Sequence, residues 1–215
     1  MYVPDAFRQT DRSTLHGLIR ANPLGMMVTV SGGVPDANHL PFLLSDDGHL
    51  GTLRGHVARA NGVWKEAGNT PALVVFHGAD GYISPAWYPT KSESGKVVPT
   101  WNYTVVHARG TLRVIDDVEW LRDHVTTLVA EHESNRDRPW SVADAPADYI
   151  EAMLSAIIGI EMPIAELAGK WKLSQNRTDR DREGVRRGLT TECPQAVALA
   201  ESMRQHPSRD EGRPT

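Results

Sequence analysis

The sequence predicts a mainly β fold with α insertions, an antiparallel barrel with helices packed around it, and three observations carry that expectation. Short β-type runs separated by tight turns follow one another, helical segments interrupt the strands rather than alternating with them, and the glycines spell neither a GxGxxG nor a P-loop. Gly32-Gly33 lies in a turn that leads into a strand, not a helix, which argues against Rossmann-type dinucleotide binding.

The elements follow in order. Leu15, Leu18 and Ile19 recur at helical spacing after the capping residues Asp11 and Ser13, so a helix is expected from Asp11 to Arg20, ended by Pro23. From Gly25 the pattern becomes a meander: MMVTV, a Ser31-Gly32-Gly33 turn, VPDANHLPFLL, an Asp46-Asp47-Gly48 turn, and HLGTL. HVARANGVWKEAG places Val57, Ala60 and Trp64 on one face and reads as a short helix, followed by the strand ALVVFHG and a turn at Asp80-Gly81. Residues 82–103 interleave five aromatic rings with prolines, hydroxyls and lysines, and Lys91 to Lys96 reads as an exposed loop. A strand from Val105 to Ile115, helices from Asp117 to Glu133 and from Ala147 to Ile158, and the strand GIEMPIAELAG complete the barrel. A polar segment over 170–189, a helix from Pro194 to Gln205 and a polar tail end the chain. The expected division is a barrel domain over 1–189 and, over 190–215, a C-terminal helix with a disordered tail.

Composition narrows the function classes. A chain of 215 residues buries roughly 70% of the surface that its unfolded form exposes, enough for one substantial domain without staples. The lone Cys193 excludes an intramolecular disulfide, and the N-terminal stretch lacks the basic start and apolar run of a signal peptide; a reducing cytoplasm is the expected location. No apolar run approaches the roughly 20 residues of a membrane helix. With 23 basic and 27 acidic residues the net charge is −4, so any anion site must be local rather than part of a global positive field.

Four segments concentrate donors and rings: 38–41, 55–61, 82–103 and 170–177. Each falls at a strand end or helix start, where side chains and backbone N–H groups converge on ligands. A flavin mononucleotide asks for an aromatic surface, donors and acceptors along its ring edge, and cations with hydroxyls at its phosphate. Trp87, Tyr88, Trp101, Tyr103 and Trp171 supply the first, Asn38, Asn102, Gln175 and Asn176 the second, and Arg59, Lys91, Lys170, Lys172 and Arg177 the third. The inventory alone leaves other phosphorylated aromatic ligands open.

The segments HLP (39–41), GHVARAN (55–61), YISPAWY (82–88), VPTWNY (98–103), GKWKLSQNR (169–177) and DREGV (181–185) resemble, in order and spacing, the signature blocks of the PaiB-type FMN-binding negative transcriptional regulators. That resemblance implies an FMN-binding split barrel related to pyridoxamine-phosphate oxidase-like and flavin reductase-like proteins. It also implies a homodimer with flavin sites at the subunit interface. Carried onto this chain, the cofactor-binding residues are Asn38, His39, Leu40, His56, Arg59, Asn61, Lys91, Thr100, Trp101, Asn102, Lys170, Gln175 and Arg177. Of these, His56, Arg59, Lys91 and Thr100 are expected nearest the phosphate, and Asn38, Trp101 and Asn102 nearest the ring.

Two functions remain side by side: a flavin-dependent oxidoreductase acting on a small-molecule redox partner, and a DNA-associated regulator in which flavin is a sensor or structural ligand. A haem-binding split barrel is a third reading, permitted by the scattered histidines. No metal site is expected, because His39, His56, His77 and His107 lack the spacing of a motif such as HExxH. RTDRDREGVRR is expected to be a solvated, salt-bridged helix face, and no two-helix unit offers a recognition helix.

Overall fold

Nine strands and seven helices make up the computed structural model, which describes residues 1–68 and 70–206. The strands are β1 (Arg8–Gln9), β2 (Leu24–Ser31), β3 (Val34–Pro41), β4 (Leu43–Ser45), β5 (Thr52–Ala58), β6 (Pro71–Ile83), β7 (Thr100–Thr111), β8 (Arg113–Ile115) and β9 (Ile157–Lys172). The helices are α1 (Arg12–Ala21), α2 (Val63–Ala67), α3 (Lys91–Ser94), α4 (Val118–Glu133), α5 (Ala147–Ser155), α6 (Asp179–Glu192) and α7 (Val197–Gln205). The sheet order is β3-β2-β6-β7-β9-β5-β4, with β1 and β8 also pairing with β9. This is the expected antiparallel split barrel with helical insertions. The chain divides into two compact units, one of 1–18, 77–106 and the residues from Ala168 onward, the other of 19–76 and 107–167.

The second unit holds the meander. Gly32 and Gly33, both at positive φ (+56° and +82°), form the two-residue turn that joins β2 to β3 in register from Leu24↔Pro41 to Ser31↔Val34. Strand alternation builds its core. Met27 faces inward from β2, Ala72, Val74 and Phe76 from β6, and Ile158, Ile160 and Met162 from β9. Phe42 packs edge-on against Phe76 at 5.9 Å. Asp117 caps α4 by accepting the Trp120 N–H at 2.9 Å, and α4 buries Leu121 and His124. Strand β5 covers Thr52 to Ala58, so the helix expected from His56 is confined to Val63–Ala67. Thr52, Leu53, Gly55 and Val57 are buried and the flanking residues are more open, a period-two pattern that pairing with β9 (Thr52↔Pro163 to Ala58↔Ile157) imposes over helical propensity.

In the first unit β1 pairs with the end of β9, Arg8↔Lys170 and Gln9↔Gly169. Strand β6 runs straight through Asp80-Gly81, where a turn was expected, because Gly81 leaves room for Leu199 of α7 to lie against the strand. Strand β7 begins at Thr100, so VPTWNY enters the sheet earlier than expected. The polar segment after Gly169 becomes the end of β9, a turn and then α6, whose N-cap Thr178 accepts the Asp181 N–H at 3.2 Å. Helix α6 is not simply a solvated face: Val185, Leu189, Asp181 and Arg182 are buried, and Arg182 donates to the Met203 and His206 carbonyls at 3.1 and 2.7 Å. The tail after His206 lies outside the described residues. No helix among the described residues is long and apolar enough to cross a membrane.

Candidate functional site

In the second unit the structure joins two of the donor-rich segments, 38–41 and 55–61. Asn61, just past β5, donates from Nδ2 to Asn38 Oδ1 on β3 at 2.7 Å, and Asn38 Nδ2 donates to Asp36 at 2.9 Å. Asn61 Oδ1 accepts the Val63 N–H at 3.0 Å, which fixes the amide at the start of α2. Beside this chain of amides opens a cavity of about 280 Å³ lined by Thr29, Ser31, Asp36, Asn61, Gly62 and Thr70. His39 is exposed and Leu40 is buried, as alternation on β3 requires.

Arg59 is a strut. Its Nη1 and Nη2 grip the Asp116 carboxylate at 3.0 and 2.7 Å, Nε donates to the Ser155 carbonyl at 2.9 Å, and Nη2 also reaches the Ile157 carbonyl at 3.3 Å. That hydrogen-bonded pairing holds Asp116 below the usual carboxylate range and raises Arg59. His56, also on β5, places Nδ1 3.2 Å from Nε2 of His124. The His124 ring stacks on Trp120, centroids 5.1 Å apart. Burial lowers the His56 pKa, and burial first, then the charges of His56 and Arg54, lowers that of His124 to about 4.

In the first unit Thr100, Asn102 and Arg177 line one cavity of about 120 Å³, together with Tyr88, Lys172 and Ser174. Lys172 Nζ donates to Thr100 Oγ1 at 2.5 Å and to the Trp101 carbonyl. The fully buried Asn102 donates to Ser174 Oγ at 2.9 Å, and the Arg177 guanidinium lies 5.0 Å above the Tyr88 ring. Other expected ligands stand apart. Gln175 turns its amide back on its own backbone, accepting the Leu173 N–H at 2.7 Å and donating to the Trp171 carbonyl at 2.6 Å. Lys170 donates to the Tyr2 carbonyl at 3.2 Å and lies 5.3 Å over Tyr103, while Lys91 is an exposed residue of α3. Trp101 is 55% exposed and meets Tyr82 edge to face at 6.2 Å; Trp171 is buried.

Lys172 and Tyr88 stand in the sequence inventory of cations and rings but not among the residues carried over from the family, whereas Ser174 here, and His124 and Trp120 beside His56, were not named as ligands. One signal for Lys172 was available: on a strand, i and i+2 share a face, so a β9 that continues past Gly169 sets Lys170 and Lys172 side by side. His124 carried none, because it faces His56 from a helix 68 residues away.

The chain matches the family described as "Putative FMN-binding domain" over residues 1–166. It is 33% identical over 207 residues to protease synthase and sporulation protein PAI 2 of Bacillus subtilis, covering 94% of this chain and 96% of that protein. It is 35% identical over 238 residues to an uncharacterised protein of Emericella nidulans, covering 92% and 95%. Among solved structures, the FAD and haem binding protein from Mycobacterium smegmatis is similar with a TM-score of 0.56 at 19% identity, over 77% of this chain and 73% of that one. The flavocytochrome Anf3 from Azotobacter vinelandii gives the same TM-score at 18% identity, over 80% and 70%. The structures carry the fold and the sequences carry the family: this chain belongs to the PaiB-type FMN-binding domain family and has the flavin-binding split-barrel fold.

Proposed function

We propose that this protein binds FMN and acts as a flavin-dependent oxidoreductase, as a homodimer with its flavin sites at the subunit interface. The observation that carries the reading is the Asn61–Asn38 hydrogen bond, which draws the donor-rich segments 38–41 and 55–61 together beside the 280 Å³ cavity within the span of the family match.

The donor set fits a flavin ring. The pyrimidine edge of such a ring alternates acceptors with an N–H donor; Asn38 Nδ2 and Asn61 Nδ2 can donate to it and the Asp36 carboxylate can accept. The flavin supplies hydride or electron transfer, and the residues around it orient the ring, exclude water and tune its potential through these hydrogen bonds. Arg59, committed to Asp116 and two carbonyls, positions the β5 end instead of offering a free cation. Among the remaining assigned residues, His39 and Leu40 contribute from β3 through an exposed imidazole and the backbone. Lys91, Thr100, Trp101, Asn102, Lys170, Gln175 and Arg177 stand as proposed cofactor contacts to be tested one by one.

The regulator reading has less support in the side chains. Helix α6 carries four arginines against four acids and pairs Arg180 with Glu93, Arg182 with buried carbonyls and Arg186 with Glu183, so it brings no net positive charge to the phosphates of DNA. The test is an FMN titration of the purified protein followed by absorbance, with sedimentation and an NADH or NADPH oxidation assay. A flavin spectrum saturating at one per subunit in a dimer, with turnover, is the expected result. A protein that ignores FMN overturns the reading, and saturable flavin binding without turnover but with salt-sensitive, sequence-selective DNA retention moves the function to regulation.

A further inference from the structure

In the first unit, the cavity between the β7 start, the β9 end and Tyr88 carries two cations that face no counter-charge. Among the described residues neither Lys172 nor Arg177 has a carboxylate partner; Lys172 reaches only a hydroxyl and a carbonyl, and Arg177 lies over an aromatic ring. Elsewhere in the chain arginines pair routinely: Arg54 with Glu161, Arg59 with Asp116, Arg109 with Glu166. Asp181, whose charge acts on Tyr88, is occupied by Thr90, which donates from its backbone N–H at 3.2 Å and from its hydroxyl at 2.8 Å.

A buried donor points the same way. Tyr88 is 2% exposed, and burial raises the pKa of its hydroxyl while Arg177 and Ser174 beside it lower it; both hold the hydroxyl only weakly, short of a well-aligned hydrogen bond. A buried hydroxyl held so weakly is poorly satisfied within the chain. A ligand that accepts hydrogen bonds satisfies it. Ser174 holds φ +62°, a region that non-glycine residues seldom occupy, and it is tied to the fully buried Asn102 by hydrogen bonds in both directions, 2.9 and 3.3 Å. The wall is thus held in a strained conformation by a buried amide. Burial, and then repulsion from Lys170 and Arg177, lowers the Lys172 pKa, as expected of a cation whose counter-ion comes from outside the chain.

We propose that this cavity is an oxyanion-binding site, taking the phosphate or carboxylate group of a small molecule on Lys172 Nζ, the Arg177 guanidinium and the Tyr88 hydroxyl. At about 120 Å³ it has room for such a group. The donors are of the right kind: an ammonium, a planar guanidinium and a phenol, all able to give charge-assisted hydrogen bonds to an oxyanion. The group belongs either to the flavin itself, as its terminal phosphate, or to a separate acidic substrate. The site does not depend on the flavin reading.

The test titrates inorganic phosphate into the flavin-free protein by calorimetry, with wild type, Lys172→Met, Arg177→Met and Tyr88→Phe, and Lys65→Met as a remote control. Saturable binding at one site per chain is expected. Loss of one charge-assisted contact should weaken it about 10-fold or more in the Lys172 and Arg177 variants, and a few-fold in Tyr88→Phe, which keeps the ring under Arg177 and so guards against misfolding. FMN and riboflavin then distinguish the sources. If the flavin phosphate is the occupant, Lys172→Met lowers FMN affinity and spares riboflavin. If a separate acid is the occupant, phosphate still binds with FMN in place and FMN affinity is unmoved. No saturable phosphate binding, or binding that all three variants leave unchanged, overturns the proposal. A protein that fails to bind FMN but binds phosphate through these residues retires the flavin reading alone.

Discussion

His56 and His124 share one hydrogen bond, Nδ1 to Nε2 at 3.2 Å, and face each other edge to face with centroids 5.3 Å apart. One ring must donate and the other accept, so the pair is satisfied when both are neutral and is broken when both are protonated. His124 is 5% exposed, its Nδ1 is buried without a partner, and Trp120 covers its face.

Stability should therefore fall on the acid side. The folded-state pKa of His124, about 4, lies below the ordinary 6.5, so between those values the unfolded chain binds a proton that the folded chain refuses. The contribution is complete above about pH 6.5 and is lost as pH falls towards about 4, with an upper size of about 3 kcal/mol. His56, lowered in the same direction by burial, adds to the same slope. Urea denaturation at pH 7.5, 5.5 and 4.5 should show the loss, and His124→Gln should flatten it. Equal slopes in wild type and variant would refute the assignment.

Helix α6 should tolerate no side chain at two of its glycines. A Cβ on Gly184 would overlap the Trp87 carbonyl oxygen, and one on Gly188 would enter the Trp87 indole face. Gly184→Ala and Gly188→Ala are each expected to lower stability by about 1–3 kcal/mol, despite the better helix propensity of alanine. Thermal melts of both variants check this; an unchanged or raised Tm would contradict the packing.

Much of the fold could be read from period and turn chemistry, because those signals are local. The β2–β3 hairpin follows from Gly32-Gly33, and α4 from Asp117 and an apolar stripe. Val57, Ala60 and Trp64 fall at helical spacing and made the end of β5 look helical, and only pairing with β9 shows otherwise. The site was legible as chemistry but not as connectivity. Arg59 reads as a free cation until Asp116, 57 residues on, takes it up, and Gln175 reads as a ring-edge amide until it closes on its own backbone.

The Thr90 hydroxyl should prove structural. It donates to both oxygens of Asp181, at 3.0 and 2.8 Å, and Asp181 is 3% exposed. Thr90→Val keeps the shape and the backbone N–H but leaves a buried carboxylate short of one donor, at a cost of about 1–3 kcal/mol. Thr90→Ser should restore most of it. Chemical denaturation of the three proteins separates a hydrogen bond from a methyl contact: if serine and valine behave alike, the hydroxyl contributes nothing.

Asn61 connects stability to the proposed ligand. Its side chain is half-buried, fixed by Asn38 on one side and the Val63 N–H on the other, so its orientation is set before any ligand arrives. Asn61→Ala removes two neutral hydrogen bonds within the protein, about 1 kcal/mol each, and one preorganised donor to the flavin ring. FMN affinity should drop about 10-fold, and riboflavin affinity by the same factor, because the lost contact is to the ring and not to the phosphate. Asn38→Ala should behave alike, and the double variant should lose less than the sum, since each amide holds the other. Fluorescence titrations of the four proteins with both flavins give the cycle; additive losses, or losses confined to FMN, would place the ring elsewhere.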